Sequence, residues 1–161
     1  MYRFFSIVKI LLIPSIFFLH ACSTDENVVL NTFEKTDAGG WQWKQGKQFT
    51  FTVEDTTYYY ALSCGLRINS GYSYSNIWLL YKLNGPGISH KNQFEVVLSD
   101  NTGKWLGKGQ GNLISYEKPF DGRLKLKPGK YTVEIAQNMR DEKLAGVSDV
   151  GLKVVKAGKI Y

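Results

Sequence analysis

Tyr58-Tyr59-Tyr60-Ala61-Leu62-Ser63-Cys64-Gly65-Leu66-Arg67-Ile68 is the stretch that decides the fold. Tyr58, Tyr60, Leu62, Cys64, Leu66 and Ile68 fall on one side of a period-two pattern, and Tyr59, Ala61, Ser63, Gly65 and Arg67 fall on the other. A helix would scatter those apolar positions around its axis, whereas a strand lines them up on one face. The segment is therefore expected to be a strand with Cys64 turned into a core, where the thiol behaves as a small hydrophobe. Shorter runs repeat the pattern: Phe49, Phe51, Val53; Phe94, Val96, Leu98; Tyr131, Val133, Ile135; and Val150, Leu152, Val154. Leu124 and Leu126 suggest a shorter strand before the turn Lys127-Pro128-Gly129-Lys130. Ile77 to Leu83 is apolar on both faces, which predicts a central strand covered on both sides. Gly, Asn, Asp and Pro separate these runs, and a helical turn is expected only near Met139–Leu144. About eight strands of this kind predict an all-β fold, an antiparallel β-sandwich of jelly-roll or immunoglobulin-like type.

Composition narrows the function. The 161 residues are 43% hydrophobic, 21% charged and 14% aromatic, a globular profile of a length that suits one domain. Two cysteines cannot form a disulfide-rich scaffold or a four-Cys zinc site, and two histidines leave no His-based metal centre, so no metal and no cofactor is expected. The net charge of +6 raises the question of an acidic partner.

The N-terminus changes what that charge means. Arg3 and Lys9 form a positive n-region ahead of an uncharged apolar run, Ile10 to Leu19, which contains Pro14. About ten residues cannot span a hydrocarbon core of roughly 30 Å, so the run reads as the h-region of a signal peptide. Leu19-His20-Ala21-Cys22 then resembles the bacterial lipobox, which needs a small residue before the cut and a thiol at the new N-terminus to carry the lipid. The expected organisation is a lipoprotein signal peptide over 1–21, a lipidated polar tether over 22–27 and a single β-sandwich domain over 28–161, with Cys22 as the lipidation site. Cleavage would leave 140 residues with Arg3, Lys9 and His20 removed, so the net charge falls to +4. Asp25-Glu26 resembles a surface-display signal of Bacteroidota lipoproteins, although an ordinary polar tether accounts for the pair as well.

Motifs that carry chemistry are lacking. In Gly103-Lys104-Trp105-Leu106-Gly107-Lys108-Gly109-Gln110-Gly111, Lys108 stands where a P-loop requires its second glycine, and no Ser/Thr or helix follows. A glycine-rich loop between strands is the plainer reading. Asp141-Glu142 are chain neighbours without the spacing of an acid/base pair, and His90 is expected in the polar loop Ser89-His90-Lys91-Asn92, with no motif linking it to Cys64. The lysines form no basic stripe, so nucleic acid is not an expected partner. A non-enzymatic protein is expected, and a hydrolase is the third alternative because sandwiches host many functions.

Aromatic residues are in surplus. Tyr72 and Tyr74 flank Ser73, Trp105 sits in the glycine loop, and Trp41 and Trp43 follow Gly39-Gly40. Such side chains can stack on sugars or hold a protein partner, or they can cap the ends of the core. Tyr72-Ser73-Tyr74-Ser75-Asn76-Ile77-Trp78-Leu79, Gly103 to Gly107, Gly129-Lys130-Tyr131-Thr132, Gln137 to Asp141 and Leu144 to Leu152 together resemble, in order and spacing, the GldH family of Bacteroidota gliding-motility lipoproteins. The resemblance runs from the lipobox to about Lys156. It implies a lipid-anchored cell-envelope protein, at the outer membrane, associated with gliding motility and the linked type IX secretion system. It supplies no catalytic residues, and only Cys22 carries over with a role. Envelope proteins of that assembly are the implied partners, with Tyr72, Tyr74, Trp105, Arg140 and Asp141 as candidate contacts. Arg140-Asp141 reads equally well as a local turn pair. The competing reading is a carbohydrate-binding accessory lipoprotein that stacks a glycan on exposed aromatics.

Overall fold

The structure, a computed structural model, describes residues 26–43 and 45–160. The expected signal peptide and residues 22–25 of the expected tether, Cys22 included, lie outside the described residues. In chain order the strands are β1 (Val28–Lys35), β2 (Trp41–Gln42), β3 (Lys47–Val53), β4 (Tyr58–Asn69), β5 (Asn76–Gly85), β6 (Ile88–Val97), β7 (Lys108–Gln110), β8 (Leu113–Leu124), β9 (Gly129–Gln137), β10 (Lys143–Leu144) and β11 (Val147–Lys159). The fold is all-β, as the alternation in β4 requires. Eight of the strands are seven residues or longer, and β2, β7 and β10 are short pieces that no periodicity could reveal.

Two antiparallel sheets face each other, one ordered β1-β11-β4-β8-β7 and the other β3-β9-β5-β6, while β2 and β10 form a separate ribbon. The inward residues of β4 (Tyr60, Leu62, Cys64, Leu66, Ile68) meet those of β11 (Val150, Leu152, Val154) across one sheet, and Tyr131, Val133 and Ile135 of β9 close the core from the other. Gly65 is buried on the outer face because the Phe33 ring lies over it: a Cβ there would stand 2.5 Å from Phe33 Cζ. The Arg67 guanidinium lies over that ring at 4.1 Å from its centroid.

Three expectations are corrected. β5 is interior to its sheet, bonded to β6 and β9, but only its Ile77, Leu79, Tyr81 and Leu83 face is buried. Trp78 is 37% exposed and Leu80 is half-buried, because among the described residues no third layer covers that side. An apolar run alone cannot distinguish a strand paired on both edges from one covered on both faces. Met139–Leu144 forms bends and the ribbon strand β10, not a helical turn. Leu124 ends the twelve-residue β8, whose alternation is masked by Pro119, by register shifts against β4 and by Arg123 at φ 61°, while Leu126 is buried in the following connection.

The strand registers sort the loops into two ends. Asn27 accepts from Lys156 N–H at 2.8 Å, and near it lie the β3–β4, β5–β6 and β8–β9 connections and Ile160, which donates to Thr57 O at 2.8 Å. The β1–β2, β4–β5, β6–β7, β9–β10 and β10–β11 connections gather at the opposite end. At about 3.3 Å per residue the twelve residues of β4 separate the two ends by roughly 40 Å.

Candidate functional site

The far end is built around a buried amide. The inward register of β9 continues from Tyr131, Val133 and Ile135 to Gln137, which is 1% exposed. Burying an unpaired amide would cost on the order of 1–3 kcal/mol, and Gln137 avoids this by bonding at both ends. Its Nε2 donates to Asp141 O at 2.8 Å and to Trp41 O at 3.4 Å, and its Oε1 accepts from Met139 N–H at 2.8 Å. One side chain thereby shapes the 138–142 loop and ties it to the β2 ribbon.

The β4–β5 loop docks beside it. Asn69 Oδ1 accepts from Gly71 N–H at 2.8 Å, an Asx-type turn that starts the loop. The Tyr72 hydroxyl donates to Asn76 O at 2.7 Å, and its ring, 4% exposed, meets Tyr74 edge-on at 5.9 Å between centroids. Tyr74 reaches across to donate to Asp141 Oδ2 at 2.8 Å. That hydrogen bond raises the Tyr74 pKa above its ordinary value, helped by desolvation and the Asp141 charge and opposed by the nearby Arg140 cation. For Tyr72 burial is the largest of the upward pushes.

Tyr72, Tyr74, Arg140 and Asp141 are thus brought together, although far apart in sequence. Tyr72 serves the group from beneath and offers no exposed ring to stack on. Trp105 belongs to the adjoining loop: it bridges to Ser99, whose N–H and that of Leu98 both donate to Ser75 O, and it packs half-buried against the core. In the glycine-lysine segment, Asp100 Oδ1 accepts from Thr102 N–H, Thr102 Oγ1 and Lys104 N–H at 2.8, 2.7 and 3.0 Å. These bonds, that to the Thr102 hydroxyl first, hold the Asp100 carboxyl below its ordinary pKa. A carboxylate of the chain itself already occupies the backbone donors that a phosphate would use.

Similarity to known proteins places the chain in a family. The family described as GldH lipoprotein matches residues 28–154. The chain belongs to the GldH lipoprotein family. It is similar to the gliding motility lipoprotein GldH homolog of Christiangramia forsetii, 28% identical over 84% of this chain and 88% of that one. It is also 28% identical to the gliding motility lipoprotein GldH of Flavobacterium johnsoniae, over 76% of this chain and 82% of that one. Among solved structures, the infectious bursal disease virus VP2 subviral particle is similar at a TM-score of only 0.32, with 11% identity over 78% of this chain and 30% of that one.

Every far-end residue of this GldH-family chain discussed above falls inside the matched region, whereas Cys22 precedes it. Cys64, the free thiol among the described residues, is buried, and that burial pushes its pKa up, so it is held protonated. His90, expected in a loop, instead stands exposed on β6, where Ser89–Asn92 pair with β5 although their side chains are polar, and its ring is 5.7 Å from that of Tyr81. Among the described residues no three metal-ligating side chains converge.

Sequence reasoning missed Gln137 and Trp78, and it named Trp43 only among the surplus aromatics. Gln137 carried a usable signal, a polar residue in an inward register. Trp43, 46% exposed, lines a shallow hollow of about 250 Å³ with Leu80, Ala136 and Asn138 on the outer face of the β3-β9-β5-β6 sheet. Trp78 lies on the same face of β5 two residues from Leu80, with its backbone N–H donating to Met139 Sδ at 3.3 Å. Their exposure depends on which sheet face is left uncovered, which no local pattern records.

Proposed function

We propose that this chain is a non-enzymatic, lipid-anchored protein of the cell envelope, held in the outer membrane through acylated Cys22. Its far end docks on protein partners of a gliding-motility assembly and the linked type IX secretion machinery. The observation that carries the reading is the separation of the two ends. The chain enters at Asn27, while Tyr74, Arg140 and Asp141 stand roughly 40 Å away at the other end of β4, beside the exposed Trp43 and Trp78. An anchored sandwich would thereby hold rigid aromatics and an Arg away from the bilayer, the residue types enriched where interfaces concentrate their binding energy. Family membership supports the motility context, and a buried, protonated thiol supports the non-enzymatic assignment.

Crosslinking of the native lipoprotein in its own envelope tests the docking. Arg140→Ala and Trp78→Ala, which alter exposed side chains, are expected to lose specific crosslinks while the protein stays folded. Unchanged crosslinks from both would remove the interface assignment. Labelled palmitate incorporation should vanish in Cys22→Ala, and retained label would refute the attachment site. A glycan array on the same protein is expected to be negative; a hit abolished by Trp43→Ala or Trp78→Ala would favour the carbohydrate-binding reading.

A further inference from the structure

The end at which the chain enters is cationic. Arg123, Lys125, Lys127 and Lys130 fall within eight residues of the β8–β9 connection, and the registers bring Lys156 and Lys159 of β11 to the same end: Lys156 pairs with Tyr60 of β4, and Tyr60 pairs with Leu124 of β8. Three of these cations lie over two consecutive tyrosines at the start of β4. The Arg123 guanidinium lies 5.2 Å from the Tyr59 ring centroid, and the Lys156 and Lys159 ammonium groups lie 5.0 and 5.9 Å from that of Tyr58. Lys127 extends over the β5–β6 turn, its Nζ 3.2 Å from where a Cβ on Gly87 would sit, so the cations continue onto the second sheet.

The acidic groups at this end are fewer, and two are engaged internally. Asp55 accepts from Thr57 N–H and Oγ1 at 3.0 and 2.6 Å and from Lys156 Nζ at 3.5 Å. Asp121 accepts the Tyr81 hydroxyl at 2.9 Å. Among the described residues Glu26 and Glu54 complete the set, so six cations face four carboxylates, with one of the six, Lys156, paired with Asp55.

We infer that this end is a membrane-docking surface, whose Arg123–Lys130 and Lys156–Lys159 cations meet the phosphates of anionic phospholipid headgroups in the leaflet holding the anchor. The inference rests on the proposed attachment at Cys22. Asn27 is fixed to β11, and the five residues from Cys22 to Glu26 can reach at most about 17 Å when fully extended. The near end is therefore confined close to the headgroup layer, within a span comparable to a Debye length of about 8–10 Å plus that layer's own depth. Lysine and arginine attract an anionic surface there, and tyrosine suits the boundary between headgroup and hydrocarbon. The tether then sets position and the cations set orientation, so the far end points away from the bilayer.

The test uses the mature-length chain carrying Cys22→Ala, so that acylation does not mask the surface. Sedimentation is measured with vesicles of phosphatidylethanolamine containing phosphatidylglycerol, and with neutral phosphatidylcholine vesicles. Salt-sensitive binding to the anionic vesicles alone is expected, falling about five-fold for each of Lys125→Gln, Lys127→Gln and Lys159→Gln. Lys104→Gln and Lys143→Gln at the far end should leave it unchanged. Equal binding to both vesicle types, or equal losses from the far-end variants, would overturn the inference. So would binding to isolated envelopes that survives lipid extraction, which would indicate an acidic protein instead. In the wild-type chain the mass of Cys22 is read separately: an unacylated Cys22 refutes the anchoring, while vesicle binding by the near end stands or falls on its own data.

Discussion

Replacing Gly146 with alanine separates two costs that usually occur together. Gly146 (φ +79°) ends the β10–β11 turn, and its carbonyl accepts from Asn69 N–H at 2.8 Å. A Cβ there would stand 2.1 Å from Tyr72 N and 2.4 Å from Tyr72 Cα. Gly103, at φ +83°, has nothing within 4 Å of the same hypothetical atom. Both substitutions carry the left-handed backbone penalty of about 1–2 kcal/mol. Only at Gly146 must two backbone segments also separate, since carbon contacts settle near 3.5–4.0 Å. Overpacking costs about 1–3 kcal/mol, and losing the Asn69 hydrogen bond about 0.5–1.5 more, so Gly146→Ala should cost roughly 3–6 kcal/mol. The difference from Gly103→Ala is then at least about 1.5 kcal/mol, a Tm gap on the order of 5 °C for a chain of this size. Urea unfolding of the mature protein, followed by tryptophan fluorescence and far-UV circular dichroism, measures both, and Gly39→Ala, with neither strain nor neighbours, is the unperturbed control. Losses at Gly146 and Gly103 that agree within about 0.5 kcal/mol would show that Tyr72 is not packed as described.

Three further outcomes follow from the same geometry. Tyr74 should ionise above its ordinary 10.0, so the hydrogen bond to Asp141 stabilises the folded loop below that pH and is lost as pH rises through the folded value. Tyrosinate absorbance compared between wild type, Tyr74→Phe and Asp141→Asn reports this, and an unshifted Tyr74 would exclude the bond. Asp100 should remain ionised below its ordinary 3.8, so its contribution is present above that pH and disappears as pH falls through the lower folded pKa. Carboxyl carbon NMR titration checks the sign, and titration at or above 3.8 would contradict the loop geometry. The Cys64 thiol, buried and held protonated, should react with a disulfide reagent only at the rate of unfolding, and rapid stoichiometric labelling of native protein would place it elsewhere.

The candidate site was legible only in part. Tyr74, Arg140 and Asp141 stood out as loop residues, but their contact joins positions 67 residues apart and has no local signature. Tyr72 carried the same signal as Tyr74 and yet is buried, a difference set by how the loop docks on the sandwich and not by the spacing of the two residues. The near-end cations looked scattered along the chain, and antiparallel registers collected them.

Alternation by itself determined the all-β class and the inward set of β4, β9 and β11, since period two admits one face per strand and the apolar residues identify it. Tertiary structure alone decided which sheet faces stay open, which loops share an end and where the polar exception Gln137 sits. Those properties depend on contacts between strands remote in sequence, and the energy of such a contact is a function of the pair, not of either segment.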